Sequence, residues 1–372
     1  MQQTLKQLFN VGVQAVLGEP CVFDALVQSK ICNPVSILSV GKAAASMLEG
    51  AMAALPNFEN ALMVTKYGHG SSQFADPRIE ALEAAHPIPD GASLHAGQRV
   101  FDWVCSRPQE STLLFLLSGG ASSLVELLKP EFTEKDLQAL NRNALASGED
   151  ILTINQDRTA ISAIKGGQLL PNFPGREVEL LYISDVQGDA LDTIGSGIGS
   201  CALNPRFDFH SRIVGSNQIA RAAVEAEAKR LGLRVIENVE NLYADVGDLA
   251  LKLANRIETG PCGLYIWGGE STVRLPSNPG IGGRNQCLAL RFAQAIADQS
   301  NVLGLFAGTD GTDGPTKYAG ALVDCETFRS APGGDSAIKQ ANSGAFLDAV
   351  GSTLHTGPTG TNVMDLGLVL KS

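Results

Sequence analysis

Short apolar runs alternate along the chain with stretches whose apolar positions recur every three to four residues. That is the pattern of strands threaded between amphipathic helices. The runs Ser36–Val40, Ala61–Thr65, Thr112–Leu117, Glu179–Ser184 and Arg212–Val214 predict strands. Helical spacing predicts helices over Lys42–Ala54, Ser93–Val104, Glu134–Ala146 and Gln218–Leu231. A second series predicts strands at Gly263–Trp267, Gly304–Ala307, Gly320–Val323 and Gly367–Leu370, with the clearest helix over Asn285–Ala297. Strands separated by helices pair mainly in parallel, so the expected class is α/β, a mainly parallel sheet wrapped by helices. A chain of 372 residues exceeds what one core usually supports. The region 232–260 has no ligand-like motif, and the domain boundary is expected there, giving domains 1–235 and 236–372.

Composition narrows the function. The net charge of -11 argues against a nucleic-acid partner, which needs a clustered basic surface. It leaves room for phosphate held by backbone N–H groups and one or two cations. Seven cysteines form no CxxC pair, so a reducing compartment is expected rather than a disulfide framework or a metal finger. The opening MQQTLKQLFNVGVQAVL reads as an amphipathic helix, not a signal peptide, and no apolar run is long enough to span a bilayer. The expected location is the cytoplasm, without a membrane partner.

Forty glycines is more than average usage, and they gather with Ser, Thr and Asp at the ends of the expected strands. Gly41-Lys42-Ala43 follows the first run. Ser118-Gly119-Gly120-Ala121-Ser122-Ser123 and Asp185-Val186-Gln187-Gly188-Asp189 follow two others. Gly268-Gly269-Glu270 and Gly308-Thr309-Asp310-Gly311-Thr312-Asp313-Gly314 follow strands of the second series. Open α/β sheets bind ligands beyond the carboxyl ends of their strands, so five such loops point to one shared site. Each alone reads equally well as a tight turn.

The Ser118–Ser123 loop suits an anion, since glycines admit close backbone approach and a following helix would present free N–H groups. It lacks the G-x-S-x-G pattern of a nucleophile elbow. Lys42 could meet phosphate as a point charge, although its surroundings are no P-loop and a surface lysine explains it alone. Arg284, in Gly282-Gly283-Arg284-Asn285-Gln286, could fork onto phosphate or carboxylate. Asp185, Asp189, Asp310 and Asp313 could supply Mg²⁺ ligands and a base for an attacking hydroxyl, with helix capping the competing role for any one of them. The five histidines show no zinc spacing. Gly195-Ser196-Gly197-Ile198-Gly199-Ser200 misses the dinucleotide fingerprint at its last position.

As a set, these motifs resemble the glycerate 2-kinase family, the MOFRL-domain type often labelled hydroxypyruvate reductase. The resemblance runs through Ser39–Ala43, Lys66–His69, His86–Asp90, Leu117–Ser123, Ser162–Gly167 and Ser184–Asp189. It continues through Gly268–Val273, Gly282–Gln286, Gly308–Thr316 and Thr356–Asn362. It implies two unlike α/β domains with the active site in the cleft between them. The N-terminal one would be a Rossmann-like, mainly parallel sheet with helices on both faces; the C-terminal one would be smaller, with a mixed sheet whose last strand could return to the first domain. It implies transfer of the γ-phosphate of ATP, with Mg²⁺, to the 2-hydroxyl of D-glycerate or a related 2-hydroxy acid. Lys42, Asp185 and Arg284 match the family's catalytic cluster. Ser118, Gly119, Gly120, Ser122, Asp189, Gly268, Gly269, Glu270, Thr309, Asp310, Asp313 and Asn362 match its ligand-binding positions, with Asp310 and Asp313 as the metal ligands. The sequence departs from the family at Lys317, Tyr318, Cys287 and Ile198. An NAD(P)H-dependent hydroxypyruvate reductase or a non-catalytic binding relative is the alternative, and a homodimer is left open.

Overall fold

The computed structural model describes the chain apart from residues 30, 32–33, 71–73, 148–150 and 202–204. It divides into two compact units, Leu17–Gly215 and a second made of Met1–Val16 with Ser216–Ser372. No described helix is long and apolar enough to cross a membrane.

The chain enters through α1 (Gln2–Gln14), which belongs to the second unit, and then α2 (Gly18–Val27), which opens the first. The first unit carries β1 (Val35–Val40), β2 (Asn60–Lys66), β3 (Ile79–Ala84), β4 (Thr112–Leu117), β5 (Glu177–Ile183) and β6 (Asp208–Gly215). Between them run α3 (Ala44–Ala54), α4 (Gly91–Cys105), α5 (Ala121–Leu124), α6 (Glu134–Ser147) and α7 (Ile151–Ile161). The strands form one sheet in the order β3-β2-β1-β4-β5-β6, every pair parallel. Strand side chains alternate between faces. Leu38, Val40, Leu62, Val64, Phe115 and Leu117 meet α4 through Val100, Trp103 and Val104. Ile37, Met63, Leu114 and Leu116 are equally buried on the opposite face. Burial on both faces explains why these strands read as continuous apolar runs. Helix α4 starts where it does because Asp90 accepts the Ser93 N–H at 3.0 Å while Ser93 Oγ accepts the Asp90 N–H at 3.1 Å.

The second unit continues with α8 (Asn217–Arg230), β7 (Val235–Glu240), α9 (Val246–Thr259), β8 (Gly263–Gly269) and α10 (Arg284–Ala295). It ends with β9 (Val302–Gly308), β10 (Gly320–Asp324), α11 (Gly334–Lys339), α12 (Ser343–Ala349), β11 (Thr353–Leu354) and β12 (Asp365–Lys371). Its sheet has the order β11-β10-β9-β12-β8-β7 and is mixed, with β7 and β8 parallel and the other neighbours antiparallel. Tyr265, Trp267, Phe306 and Val369 pack on one face against α9 and α10. On the other face lie α1 and α8, so close that a Cβ on Gly12 would sit 2.8 Å from Val224 and 3.1 Å from Leu366.

This packing moves the expected boundary from 235/236 to Gly215/Ser216. The region 232–260 is no linker: it builds β7 and α9 of the second sheet, and α8 ahead of it packs there too. The amphipathic N-terminus is a helix as expected, but it belongs to the second unit. Strand β12 stays in the second sheet, inserted between β8 and β9, and does not return to the first. Sequence periodicity also missed β3, whose residues are mostly half-buried and charged at Glu80 and Glu83.

Because Phe9 is fully buried in a helix distant in sequence from the sheet it covers, Phe9→Ala should destabilise the fold by about 3–5 kcal/mol, read as a lowered denaturant midpoint.

Candidate active site

In a sheet of order 3-2-1-4-5-6 the winding reverses between β1 and β4, and the loops leaving those strands border the ligand crevice. Lys42 follows β1 there, and Ser118–Gly120 follows β4. The two loops are tied together: the Lys42 N–H donates to Gly119 O at 2.9 Å and the Ala43 N–H to Ser118 Oγ at 3.1 Å. Gly41 must be glycine, because at φ 136° a Cβ would lie 2.1 Å from Ser118 Oγ. Asp185, just beyond β5, places Oδ2 3.7 Å from Lys42 Nζ, both side chains about one-fifth exposed at 18% and 20%. It reaches that position only because Gly119 lacks a side chain, whose Cβ would stand 1.7 Å from Asp185 Oδ2. Ser122 Oγ hydrogen-bonds Ser196 Oγ at 2.9 Å.

Two features around this loop carried no predicted role. Beneath it, the fully buried Lys165 donates to Ser122 O at 2.6 Å and pairs with the equally buried Glu126. Beside it, His86 approaches Gly120, where a Cβ would sit 3.0 Å from the imidazole and from Lys42 Cγ. Loss of water around the ring, and then the charges of Lys42, Lys66 and Arg158, push His86 down to about 4. His86 is nonetheless an exposed residue, so the three cations are the firmer cause. His86 and Lys165 both lie in segments that carried the family resemblance, which was the available signal.

In the second unit the deciding element is β12. Running antiparallel between β8 and β9, it sets Asp365 opposite Gly269 on one side and Gly308 on the other. Arg284, the first residue of α10, forks onto that carboxylate, Nε to Oδ2 at 2.7 Å and Nη2 to Oδ1 at 3.0 Å. Its Nη1 lies 2.9 Å from Glu270 Oε1. Burial works against the Arg284 charge, but Asp365, then Glu270 and Asp313, outweigh it and hold the guanidinium above its usual range. Asp313 sits at the start of α10, its Oδ1 accepting the Asn285 N–H at 3.0 Å and its Oδ2 the Gln286 N–H at 2.7 Å. Burial pushes its carboxyl from 3.8 up to about 7, although those two N–H groups favour the anion.

Several expected ligand positions therefore have structural occupations. Asp313 caps α10 with both oxygens. Asp310 retains more freedom, one oxygen accepting the Thr312 N–H at 2.9 Å. The buried Thr309 hydroxyl donates to Met364 O at 2.7 Å and accepts the Val363 N–H at 2.9 Å. Asn362 Oδ1 accepts the Met364 N–H at 3.3 Å. Gly268 makes room for Asn217, whose Oδ1 would lie 1.7 Å from a Cβ there. The helix expected behind Ser118–Ser123 is the single turn α5, too short for a substantial dipole. Asp189 lies past a left-handed Gly188, itself at φ 56°. Among the described residues, no group of three or more His, Cys, Asp or Glu is arranged to hold a metal ion.

Comparison with known proteins decides the family. Residues 4–225 match the domain of unknown function DUF4147 and residues 263–365 match the MOFRL family. The chain is 34% identical to a D-glycerate 2-kinase of Thermotoga maritima, over 98% of this chain and 97% of that protein. The chain belongs to the glycerate 2-kinase family. A glycerate 2-kinase of Pyrococcus horikoshii is 32% identical over 96% of this chain and 93% of its own. The crystal structure of a glycerate kinase from Thermotoga maritima superposes with a TM-score of 0.89, at 31% identity, covering 100% of this chain and 99% of that one.

Three of the departures from the glycerate 2-kinase pattern have identifiable surroundings. Cys287 is buried in the core beside α9, on the face of α10 that the sheet packing uses. Tyr318 donates to Asp348 Oδ1 at 2.5 Å, and the exposed Lys317 lies over its ring at 5.3 Å.

A carboxyl raised in the folded state stabilises the fold while it holds its proton and stops doing so once the solution removes it. The Asp313 contribution should thus be complete below about 3.8 and be lost as pH rises through about 7. Denaturation midpoints of the wild type, relative to Asp313→Asn, should fall across that window; a flat difference would contradict the assigned burial.

Proposed function

We propose that this protein phosphorylates D-glycerate at its 2-hydroxyl, using ATP and releasing ADP and 2-phosphoglycerate. The family relationship over nearly the whole chain supports the reaction. The observation that carries the chemistry is the Lys42–Asp185 pair at the reversal point of the first sheet.

On this reading the 2-hydroxyl oxygen attacks the γ-phosphorus while the bond to the β-phosphate bridging oxygen breaks, and that oxygen leaves with ADP. The hydroxyl proton passes to the Asp185 carboxylate, and Lys42 neutralises charge on the transferring phosphoryl. Asp185 is taken as the base because its carboxylate lies 3.7 Å from the lysine. The absence of side chains at Gly119 and Gly120 lets Asp185 and His86 close on the loop beside Lys42. Arg284 supplies a second cation for phosphate or carboxylate. Mg²⁺ in kinases is held by one or two carboxylates together with substrate phosphates. Asp310, with an oxygen outside its own turn, fits that demand more readily than Asp313, whose oxygens each accept a backbone N–H of α10. Bound there, the ion would offset phosphate charge. The reading places the enzyme in the cytoplasm.

The protein incubated with D-glycerate, ATP and Mg²⁺ should form ADP and 2-phosphoglycerate in equal amounts, followed by a coupled assay and phosphorus NMR. Absence of ADP, or oxidation of NADH on adding hydroxypyruvate, would sink the proposal. Lys42→Ala and Arg284→Ala should each lower kcat/KM by roughly 100-fold or more with little change in melting temperature. Rates near wild type in both would show that the chemistry lies elsewhere.

A further inference from the structure

Arg284 has two carboxylate partners of opposite character. Asp365 is 1% exposed and takes the Nε–Nη2 edge of the guanidinium in a fork. Its backbone is pinned: Asn217 Nδ2 donates to Val363 O at 2.9 Å and to Asp365 O at 3.0 Å, and both neighbouring strands pair at Asp365. Glu270 instead follows the end of β8, with 48% of its side chain exposed, and meets Nη1. A planar guanidinium whose Nε edge is used still has the Nη1–Nη2 edge for a second oxyanion. Glu270 stands on that edge, and Arg284 itself is one-third exposed at 33%.

Charge completes the argument. One guanidinium flanked by two carboxylates is not a net cation, so this cluster attracts no anionic ligand while Glu270 stays in place. An exposed ion pair holds weakly, whereas a buried fork does not exchange. We propose that Asp365 is the positioning residue that aims Arg284, and that Glu270 is a resident anion displaced from the guanidinium's outer edge by a phosphate or carboxylate oxygen of the ligand. The proposal rests on the kinase reading for its ligands, ATP and D-glycerate. It assigns a role to Asp365 and turns Glu270 from a ligand contact into a competitor of one.

The test compares Asp365→Asn, Asp365→Glu and Glu270→Gln in the full chain, with Asp365→Asn repeated in an Arg284→Ala background. Steady-state kinetics and calorimetric titration with ATP and with D-glycerate are the readouts. Asp365→Asn should lower kcat/KM on the order of 100-fold, with partial recovery in Asp365→Glu. In the Arg284→Ala background the same change should cost less than about twofold, because the group it acts through is gone. A merely structural role would persist in that background and overturn the positioning claim, and a melting curve identifies any variant that fails to fold. Glu270→Gln should act in the opposite direction, tightening one ligand by about threefold. Tightening of ATP assigns the displaced contact to phosphate, and tightening of glycerate assigns it to carboxylate. Weaker binding of both ligands in Glu270→Gln overturns the displacement. A wild type that binds the ligands but makes no ADP refutes the kinase reading alone, and the binding arm still decides the proposal; one that binds neither refutes both.

Discussion

Strand β12 enters its sheet antiparallel between β8 and β9, and the second unit's chemistry depends on that insertion. Two strands that leave their carboxyl ends on the same side would otherwise present only glycine-rich loops there. The strand between them begins where they end, and its first residue is Asp365. A buried carboxylate needs a partner, and Arg284 at the start of α10 supplies it in two hydrogen bonds. The surroundings then converge on holding that carboxylate. Gly268 stays bare so that Asn217 can reach the backbone of β12, and Thr309 holds Val363 and Met364 just ahead of it. A glycine loop that looks adapted to a ligand is, at these positions, adapted to placing one acid.

The first unit solves a different problem with the same residue types. Lys42 and Asp185 are 3.7 Å apart and partly open, a separation that leaves each able to engage another group. The loop between them rests on a buried ion pair, Lys165 with Glu126, which holds the Ser122 carbonyl from below. Burial disfavours the charged lysine, and Glu126, with the Ser122 carbonyl, offsets that cost. Buried pairs of this kind add little net stability but penalise alternative arrangements strongly, since parting them strands a charge. The consequence here is a loop whose backbone geometry is set from beneath while its upper side chains remain exchangeable.

Much of this was legible in the sequence, and the failures share a cause. Continuous apolar runs marked the central strands β1, β4 and β5 because parallel strands buried on both faces need no polar alternation. The half-exposed β3 and β7 lacked that signature. The first sheet's ligand end was readable because parallel strands separated by helices bring successive loops to the same side. The second sheet's acid was not, because Asp365 opens an antiparallel strand, and nothing local in Met364-Asp365-Leu366 states which strands it will join. The boundary slipped for the same reason: α1 and α8 read as ordinary amphipathic helices, and only the tertiary contact of Gly12 with Val224 and Leu366 shows which sheet they cover. Lys42, Asp185, Arg284 and Glu270 were named from the sequence, whereas Asp365 came only from the fold.

Asp313 shows why the functional and the plain readings of one residue need not compete. An acid near a glycine-rich loop suggested a metal ligand, and helix capping was the ordinary alternative; the structure uses it as the cap. A helix N-terminus attracts anions, and α10 meets that attraction with a carboxylate of its own chain. With the first free N–H groups of α10 so engaged, the anion-binding capacity at this end of the helix passes to the side chain of its first residue. Arg284 then becomes the outward donor in place of the backbone, and a side chain, unlike a helix terminus, can be aimed. Asp365 does the aiming from the buried edge, while the exposed edge is contested between Glu270 and whatever oxygen arrives. The arrangement trades a fixed backbone dipole for a steerable cation whose availability is set by the competition at one edge of a single guanidinium.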